Sequence, residues 1–223
     1  MAKGVMWDVP VLVDFGTCHA LIVSTVDRRW GGADCAVRYW LGDFDGTGFT
    51  SRTAAEGLPL DHGPDFYAAI ISTPVPSDRD NRILVAWASN WSTARTMPWP
   101  GGVHGGPVTS PRILSYDATV DRLAQIPVAG HTAAVSQQWD GISPATFSVP
   151  GRDCELRITL DAAGLLVVRQ GIGGLLDWTR RTERPLASGV GQTIDFFNDA
   201  GLIEIFIRPA GMTITAFVPG ARI

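Results

Sequence analysis

The stretch NRILVAWASNW (81–91) reads as a β-strand of a layered protein. It is rich in β-branched and aromatic residues and ends in a small polar cluster. Strict alternation sends Ile83, Val85, Trp87, Ser89 and Trp91 to one face and Leu84, Ala86, Ala88 and Asn90 to the other. Both faces are mostly apolar, so each must pack on something. The same composition recurs at short intervals before it, in VLVDF (11–15), HALIVST (19–25), AVRYWL (36–41) and FYAAIIS (66–72). Turn chemistry separates these runs: DFDGTG (43–48), DHGPD (61–65) and PSDRDN (76–81). No window carries a capped apolar stripe of helical period; Thr53–Gly57 reads as one helical turn at most.

A Pro/Gly-dense stretch, MPWPGGVHGGPVTSP (97–111), reads as a long structured loop entering RILSYD (112–117), and DRLAQIPV (121–128) follows. Beyond about residue 129 the tryptophans thin out and the strands become regular: ELRITLD (155–161), LLVVRQG (165–171), TIDFFND (193–199), LIEIFI (202–207) and MTITAFV (212–218). DAAG (161–164) and NDAG (198–201) are hairpin turns. LRITLD and LIEIFI alternate apolar and polar residues as half-buried strands do. Short strands spaced by turns predict a β-sandwich. The sequence therefore predicts an all-β chain of two modules, 1–128 and 129–223.

Composition excludes several functions. The net charge of −4 leaves no basic footprint for nucleic acid. No apolar run approaches the ~18 residues of a membrane helix. The N-terminal MAKGVMWDV has one lysine and no apolar core, so the chain as written reads as cytoplasmic, with secretion open if it is a piece of a longer protein. Cys18, Cys35 and Cys154 form no CxxC pair, and His19, His62, His104 and His131 are scattered, so neither metal nor cofactor is expected. Cys18 and Cys35 could face each other on neighbouring strands, but free buried thiols are the commoner arrangement. The eight tryptophans suit either cores between sheets or platforms for sugar rings.

Six strings, in order, resemble glycoside hydrolase family 32, the β-fructofuranosidase, levanase and inulinase group: WDVP (7–10), LGDFDGTGF (41–49), LDHGPDFYAA (60–69), NRILVAWASNW (81–91), SPRIL (110–114) and LAQIPV (123–128). TIDFFNDAGLIEIFI (193–207) resembles the closing strands of that family's C-terminal sandwich. The resemblance implies a five-bladed β-propeller followed by a β-sandwich. It implies retaining cleavage of β-fructosidic bonds by an aspartate nucleophile and a glutamate acid/base. At ~40–45 residues per blade, residues 1–128 hold only two to three blades. The expected fold is thus a partial propeller followed by a sandwich.

Two departures from the family pattern matter. The acid/base glutamate aligns with Asp8, one methylene shorter, which withdraws the carboxylate by ~1.5 Å. A misplacement of about 1 Å can cost ~100-fold in rate, and aspartate starts from a pKa of ~3.9 against ~4.3 for glutamate. Second, neither the nucleophile motif Asn-Asp-Pro-Asn-Gly nor the Arg-Asp-Pro motif occurs among the 223 residues. SDRDN (77–81) contains Arg79–Asp80, but Asn81 stands where proline should, and the stretch reads as a surface turn. The chain resembles the second half of such an enzyme.

The resemblance places Asp8 at the acid/base position and Trp7, Asp65, Tyr67 and Trp87 around the bound fructose. Local chemistry offers alternatives: a backbone-capping carboxylate for Asp8, an Asx turn for Asp65, and packing between strands for Tyr67 and Trp87. Asp43 and Asp45 read as hairpin-turn residues, Arg112 as a partner of a buried carboxylate, and Arg169 as a bond to the seam facing the propeller. The expected function is hydrolysis of sucrose or fructans, with the chain alone inactive for want of a nucleophile. The expected partners are a fructan oligosaccharide and either a second copy or the complementary part of the propeller. The alternative is a non-catalytic relative that binds carbohydrate or self-associates.

Overall fold

The computed structural model describes residues 5–27, 34–72, 82–94, 97, 105–130, 132–161, 163–174, 176–182 and 189–223. The protein is all-β, two propeller blades followed by a β-sandwich. The first sheet contains β1 (Val5–Asp14), β2 (His19–Asp27), β3 (Asp34–Phe44) and β4 (Phe49–Ser51) in that order, with β5 (Leu58–Pro59) also paired to β3. The second is the meander β6 (Tyr67–Ile71), β7 (Arg82–Trp87), β8 (Arg112–Asp117) and β9 (Arg122–Pro127). The remaining strands are β10 (Val135–Trp139), β11 (Ala145–Pro150), β12 (Cys154–Asp161), β13 (Gly164–Gly171), β14 (Trp178–Thr182), β15 (Gln192–Asp199), β16 (Leu202–Arg208) and β17 (Met212–Phe217). They form two antiparallel sheets of order β10-β15-β16-β17 and β11-β12-β13-β14.

Aspartates turn many of the corners. Asp14, Asp45, Asp117, Asp140 and Asp161 each accept the backbone N–H two residues on, at 2.7–2.8 Å. This Asx geometry substitutes a side-chain acceptor for a backbone one and closes the turn locally. Asp45 also accepts from the Thr47 hydroxyl and from Gly48 N–H, and the bonds to the backbone N–H groups lead in holding its pKa down at about 2. Thr53–Gly57 contains a single tight turn, with Gly57 N–H donating to the Ala54 carbonyl. The SDRDN turn, His104 and His131 lie outside the described residues.

The two blades pack face to face. β6 lies against β1, β2 and β3. Ala20, Ile22, Val37, Tyr39 and Leu41 of the first sheet share one core with Phe66, Ala69, Leu84, Ala86 and Leu114 of the second. The alternation of β7 holds through Trp87: Leu84 and Ala86 are buried, while Ile83, Val85 and Trp87 are half-buried. The sandwich core joins Leu156, Ile158, Leu160, Leu165 and Val167 of one sheet to Ile194, Phe196, Ile203, Ile205 and Ile214 of the other. Each such fully buried aliphatic side chain contributes ~1.5–3 kcal/mol relative to exposure.

The alternation of LIEIFI and MTITAF has a different meaning from that of a half-exposed strand. Every residue of β17, and every residue of β16 before Arg208, is buried. The odd positions Ile203, Ile205 and Ile207 enter the sandwich core. The even positions Glu204 and Phe206 meet the propeller instead, as do Thr213 and Thr215 of β17. Here the DHGPD turn docks. His62 N–H donates to the Thr213 carbonyl at 2.9 Å and Asp65 N–H to the Thr215 carbonyl at 3.1 Å. Gly63 sits so close to β17 that a Cβ would lie 2.1 Å from the Thr215 carbonyl oxygen, so no other residue fits without movement.

Two buried arginines fasten this seam. Arg112 of β8 donates to Asp61 at 3.0 Å, to Gln125 at 3.0 Å and to Glu204 at 2.7 Å. Asp61 in turn accepts from the Thr213 and Thr215 hydroxyls and from Thr215 N–H at 2.8–2.9 Å. Burial alone pushes the Asp61 pKa up. The Arg112 charge and these hydrogen bonds outweigh it and hold the carboxyl below its usual range. Arg169 of β13 makes the second fastening, to Asp65.

Candidate active site

The site residues lie on the first strands of the two blades, and the local chain path there is irregular in the same way twice. In β1, Asp8 pairs with Ser24 and Val11 with Ile22, so two residues oppose one. In β6, Tyr67 pairs with Trp87 and Ile70 with Val85, again two against one. Each is a β-bulge, which bends a strand and re-aims the side chain beside it. Pro10 has no N–H to give the ladder, which suits a bulge in β1. The extra residues Val9 and Ala68 have φ of 48° and 49°, the left-handed region in which a β-branched valine is strained.

The Asp8 carboxylate is exposed and accepts the Val9 N–H at 2.9 Å. Its face of β1 looks toward the second blade, because the same face of β2 carries Ile22 and Val26, which pack there. Tyr67 is buried among Val26, Cys35 and Trp87. Among the described residues its hydroxyl has no partner of normal hydrogen-bond geometry. Burial first, then the nearby Asp8 charge, push its pKa up to about 12, while the Trp91 indole pulls slightly the other way. The Ser24 hydroxyl, cross-strand from Asp8, is likewise buried without a partner among the described residues.

Trp87 completes this group. Its ring meets Tyr67 edge-on with centroids 6.3 Å apart and Trp91 edge-on at 4.9 Å, and its indole N–H donates to the Gly105 carbonyl. Trp91 is 57% exposed, which leaves a wide aromatic surface open to solvent. The structure thus brings Asp8, Tyr67 and Trp87 together, with Trp91 and Ser24 added. Ser24 was detectable as the one polar residue on the inward face of HALIVST.

Trp7 and Asp65 do not join them. Trp7 is adjacent to Asp8 within a regularly paired stretch, so the pleat sends it to the opposite face. There it stacks on Trp40, with centroids 4.8 Å apart and 30° between planes. Asp65 is fully buried. Its oxygens accept from Asn90 at 2.8 Å, from Phe217 N–H at 2.8 Å and from Arg169. It serves the seam between blade and sandwich. Cys18, Cys35 and Cys154 are not joined to one another by disulfides. Among the described residues no three His, Cys, Asp or Glu side chains are grouped as a metal site.

Comparison with known proteins fits this architecture. Residues 1–127 match the family model described as the glycosyl hydrolases family 32 N-terminal domain. A levanase of Bacillus subtilis (strain 168) is 34% identical over 123 residues, covering 51% of this chain and 17% of the levanase. Among solved structures, the exo-inulinase of Aspergillus awamori superposes with a TM-score of 0.66 at 17% identity, over 98% of this chain and 53% of the inulinase. A variant of a Bombyx mori β-fructofuranosidase in complex with sucrose gives 0.67 at 19% identity, over 97% and 50%. The chain therefore spans about half the length of these structures and a smaller share of the levanase.

Proposed function

Because this chain belongs to glycosyl hydrolase family 32, we propose that it carries the acid/base side of a centre that cleaves β-fructosidic bonds in sucrose or in fructans such as levan and inulin. The observation that carries this reading is the exposed Asp8 carboxylate, set by a bulge on an inner strand beside Tyr67 and the Trp87–Trp91 pair. Aromatic faces pack against the apolar face of a sugar ring, and a carboxyl beside them can reach the glycosidic oxygen. The sucrose complex of the Bombyx mori protein supports the substrate class.

Retaining cleavage needs a second carboxylate ~5–5.5 Å from the first. In the proposed cycle that nucleophile attacks the anomeric carbon while the Asp8 carboxylic acid protonates the departing oxygen. The Asp8 carboxylate then takes a proton from the water that releases fructose. The Tyr67 hydroxyl, which feels the Asp8 charge and is short of a partner among the described residues, orients its carboxyl. The nucleophile belongs to an Asn-Asp-Pro-Asn segment, and no such string occurs in these 223 residues. The chain alone therefore binds fructosides without turning them over.

The test is an assay of the pure chain on sucrose, inulin and levan. No fructose should appear until a polypeptide bearing the nucleophile segment is added, and Asp8→Asn should abolish the restored activity. Fructose release by the pure chain, lost in Asp8→Ala, overturns the missing-nucleophile reading. A second reading rests on the exposure of Met6 (44%), Trp7 (40%) and Trp91 (57%): a non-catalytic protein that binds carbohydrate or self-associates through the inner strand. Fructan-dependent quenching of tryptophan fluorescence, with no product under any pairing, favours it. So does a dimer in size-exclusion chromatography that Trp7→Ala dissociates.

A further inference from the structure

Each blade turns a second apolar face outward, away from the core the two share. On the first sheet that core takes Ala20, Ile22, Tyr39 and Leu41. Period-two alternation therefore sends Leu21, Trp40 and Phe44 to the other face, where strand pairing adds Leu12 and the stack on Trp40 adds Trp7. Trp7, Leu12 and Phe44 are exposed. On the second sheet the core takes Leu84, Ala86 and Leu114, so Ile83, Val85 and Ile113 point the opposite way. Ile70 pairs with Val85, and Ile83, Ile113 and Ile126 pair in one row across three strands. Ile70 is 59% exposed and Ile126 42%. None of these outward side chains joins an apolar core among the described residues.

An outward sheet face of this composition marks an association surface. The two faces lie on opposite sides of one two-sheet stack, and one is aromatic where the other is flat and aliphatic. The established contact inside the chain is the first sheet on the second. A second copy extends the same series, with its second sheet against the outer face of this chain's first sheet. Under a two-fold axis the contact occurs twice and closes a ring of four blades, within the range of about four to eight in which propellers close. Area favours a copy that covers both faces at once. A four-stranded face with strands ~4.8 Å apart and ~17–20 Å long measures roughly 350–400 Å². Two such faces give roughly 700–800 Å² per copy, near the ~800 Å² that each partner buries in a standard stable interface; one face gives half of that.

We propose that the chain on its own forms a head-to-tail dimer in which the Trp7–Leu12–Phe44 face of each copy packs on the Ile70–Ile83–Ile126 face of the other. This pairing rests on the self-associating reading given above and assigns it two unlike faces. A polypeptide bearing the nucleophile segment would compete for them. The test is sedimentation equilibrium of the whole chain, which should be dimeric at micromolar concentration. Leu12→Lys and Ile70→Glu should each weaken the dimer roughly a hundredfold or more, since each sets an unpaired charge in both contacts. Mixed in equal amounts, the two variants should dimerise again, because the mixed pair keeps one unaltered contact and sets opposite charges in the other. Circular dichroism checks that the variants fold, and Phe44→Lys replaces Leu12→Lys if that one does not. A dimer that only one of the two variants dissociates, variants that fail to restore each other, or open-ended polymers overturn the ring while leaving self-association standing. A monomer at all concentrations overturns both.

Discussion

Val9 and Ala68 occupy matching places in two different sheets. Each directly follows a candidate site residue on the first strand of its blade, each is the extra residue of a bulge, and each is left-handed, with φ of 48° and 49°. Backbone strain at both points accompanies the aim of Asp8 and Tyr67 toward one another, as strained residues do where the surrounding fold over-determines them.

The strain is testable at Ala68, where little side chain is lost. A left-handed L-residue costs ~1–2 kcal/mol, and glycine's extra chain entropy takes back ~0.5–1 kcal/mol. Ala68→Gly should therefore stabilise the chain by about 0.5–1 kcal/mol in urea unfolding. A clear loss of stability contradicts the strained-bulge account.

Asp8 and Tyr67 should report on each other. The Asp8 charge helps to raise the Tyr67 pKa to about 12, second only to burial. In Asp8→Asn that contribution disappears, so the Tyr67 ionisation should move toward the ordinary tyrosine value of ~10. Ultraviolet titration of tyrosinate reads it. An unmoved titration would separate the two side chains and weaken the proposed site.

Asp65 should behave as a fastening. Its removal leaves Arg169, which is 1% exposed, without its carboxylate. Breaking such a buried pair costs about 3–5 kcal/mol. Asp65→Ala should lower the urea midpoint accordingly, while folded protein keeps its fructan-dependent fluorescence change. Normal stability with lost sugar response would instead return Asp65 to the sugar pocket.

Asp61 sets an acid limit on stability. Its folded pKa is depressed, so its contribution is fully present above the unfolded carboxylate value of ~3.9 and declines as pH falls through the folded value. Asp61→Asn should be less stable at neutral pH and show a shallower loss of stability below about pH 4. Parallel urea titrations at neutral and acidic pH measure both.

Gly63 tests the docking of the DHGPD turn. A methyl group there collides with the β17 backbone, and overpacking of this kind costs ~1–3 kcal/mol. Gly63→Ala should destabilise the chain by that amount. No change would mean that the turn and β17 separate freely.

The strands and most of their corners were legible in the residues, because period-two alternation and Asx-turn aspartates act within a few residues. RILVAW, RILSYD and LRITLD fold where their composition places them. The strand order of the sandwich was not legible. β10 pairs with β15, across the whole β11–β14 sheet, and nothing local in VSQQW selects TIDFF as its neighbour. The bulge after Asp8 had a signal, the Val-Pro step, but the one after Tyr67 had none. The resemblance groups Trp7 with Asp8 at the sugar site, whereas the pleat of a regular pair divides them.

The sequence by itself determined an all-β chain, the positions of its turns and its family, since these follow from backbone sterics and from short ordered motifs. Only the tertiary structure decided which polar side chains are buried. Glu204 reads as the outward residue of an alternating strand, yet it faces Arg112, 92 positions away. Asp65 reads as a turn aspartate, yet its charge is matched by Arg169, 104 positions away. A carboxylate leaves water only where a distant cation and donors are already arranged to receive it, and no local pattern encodes that meeting.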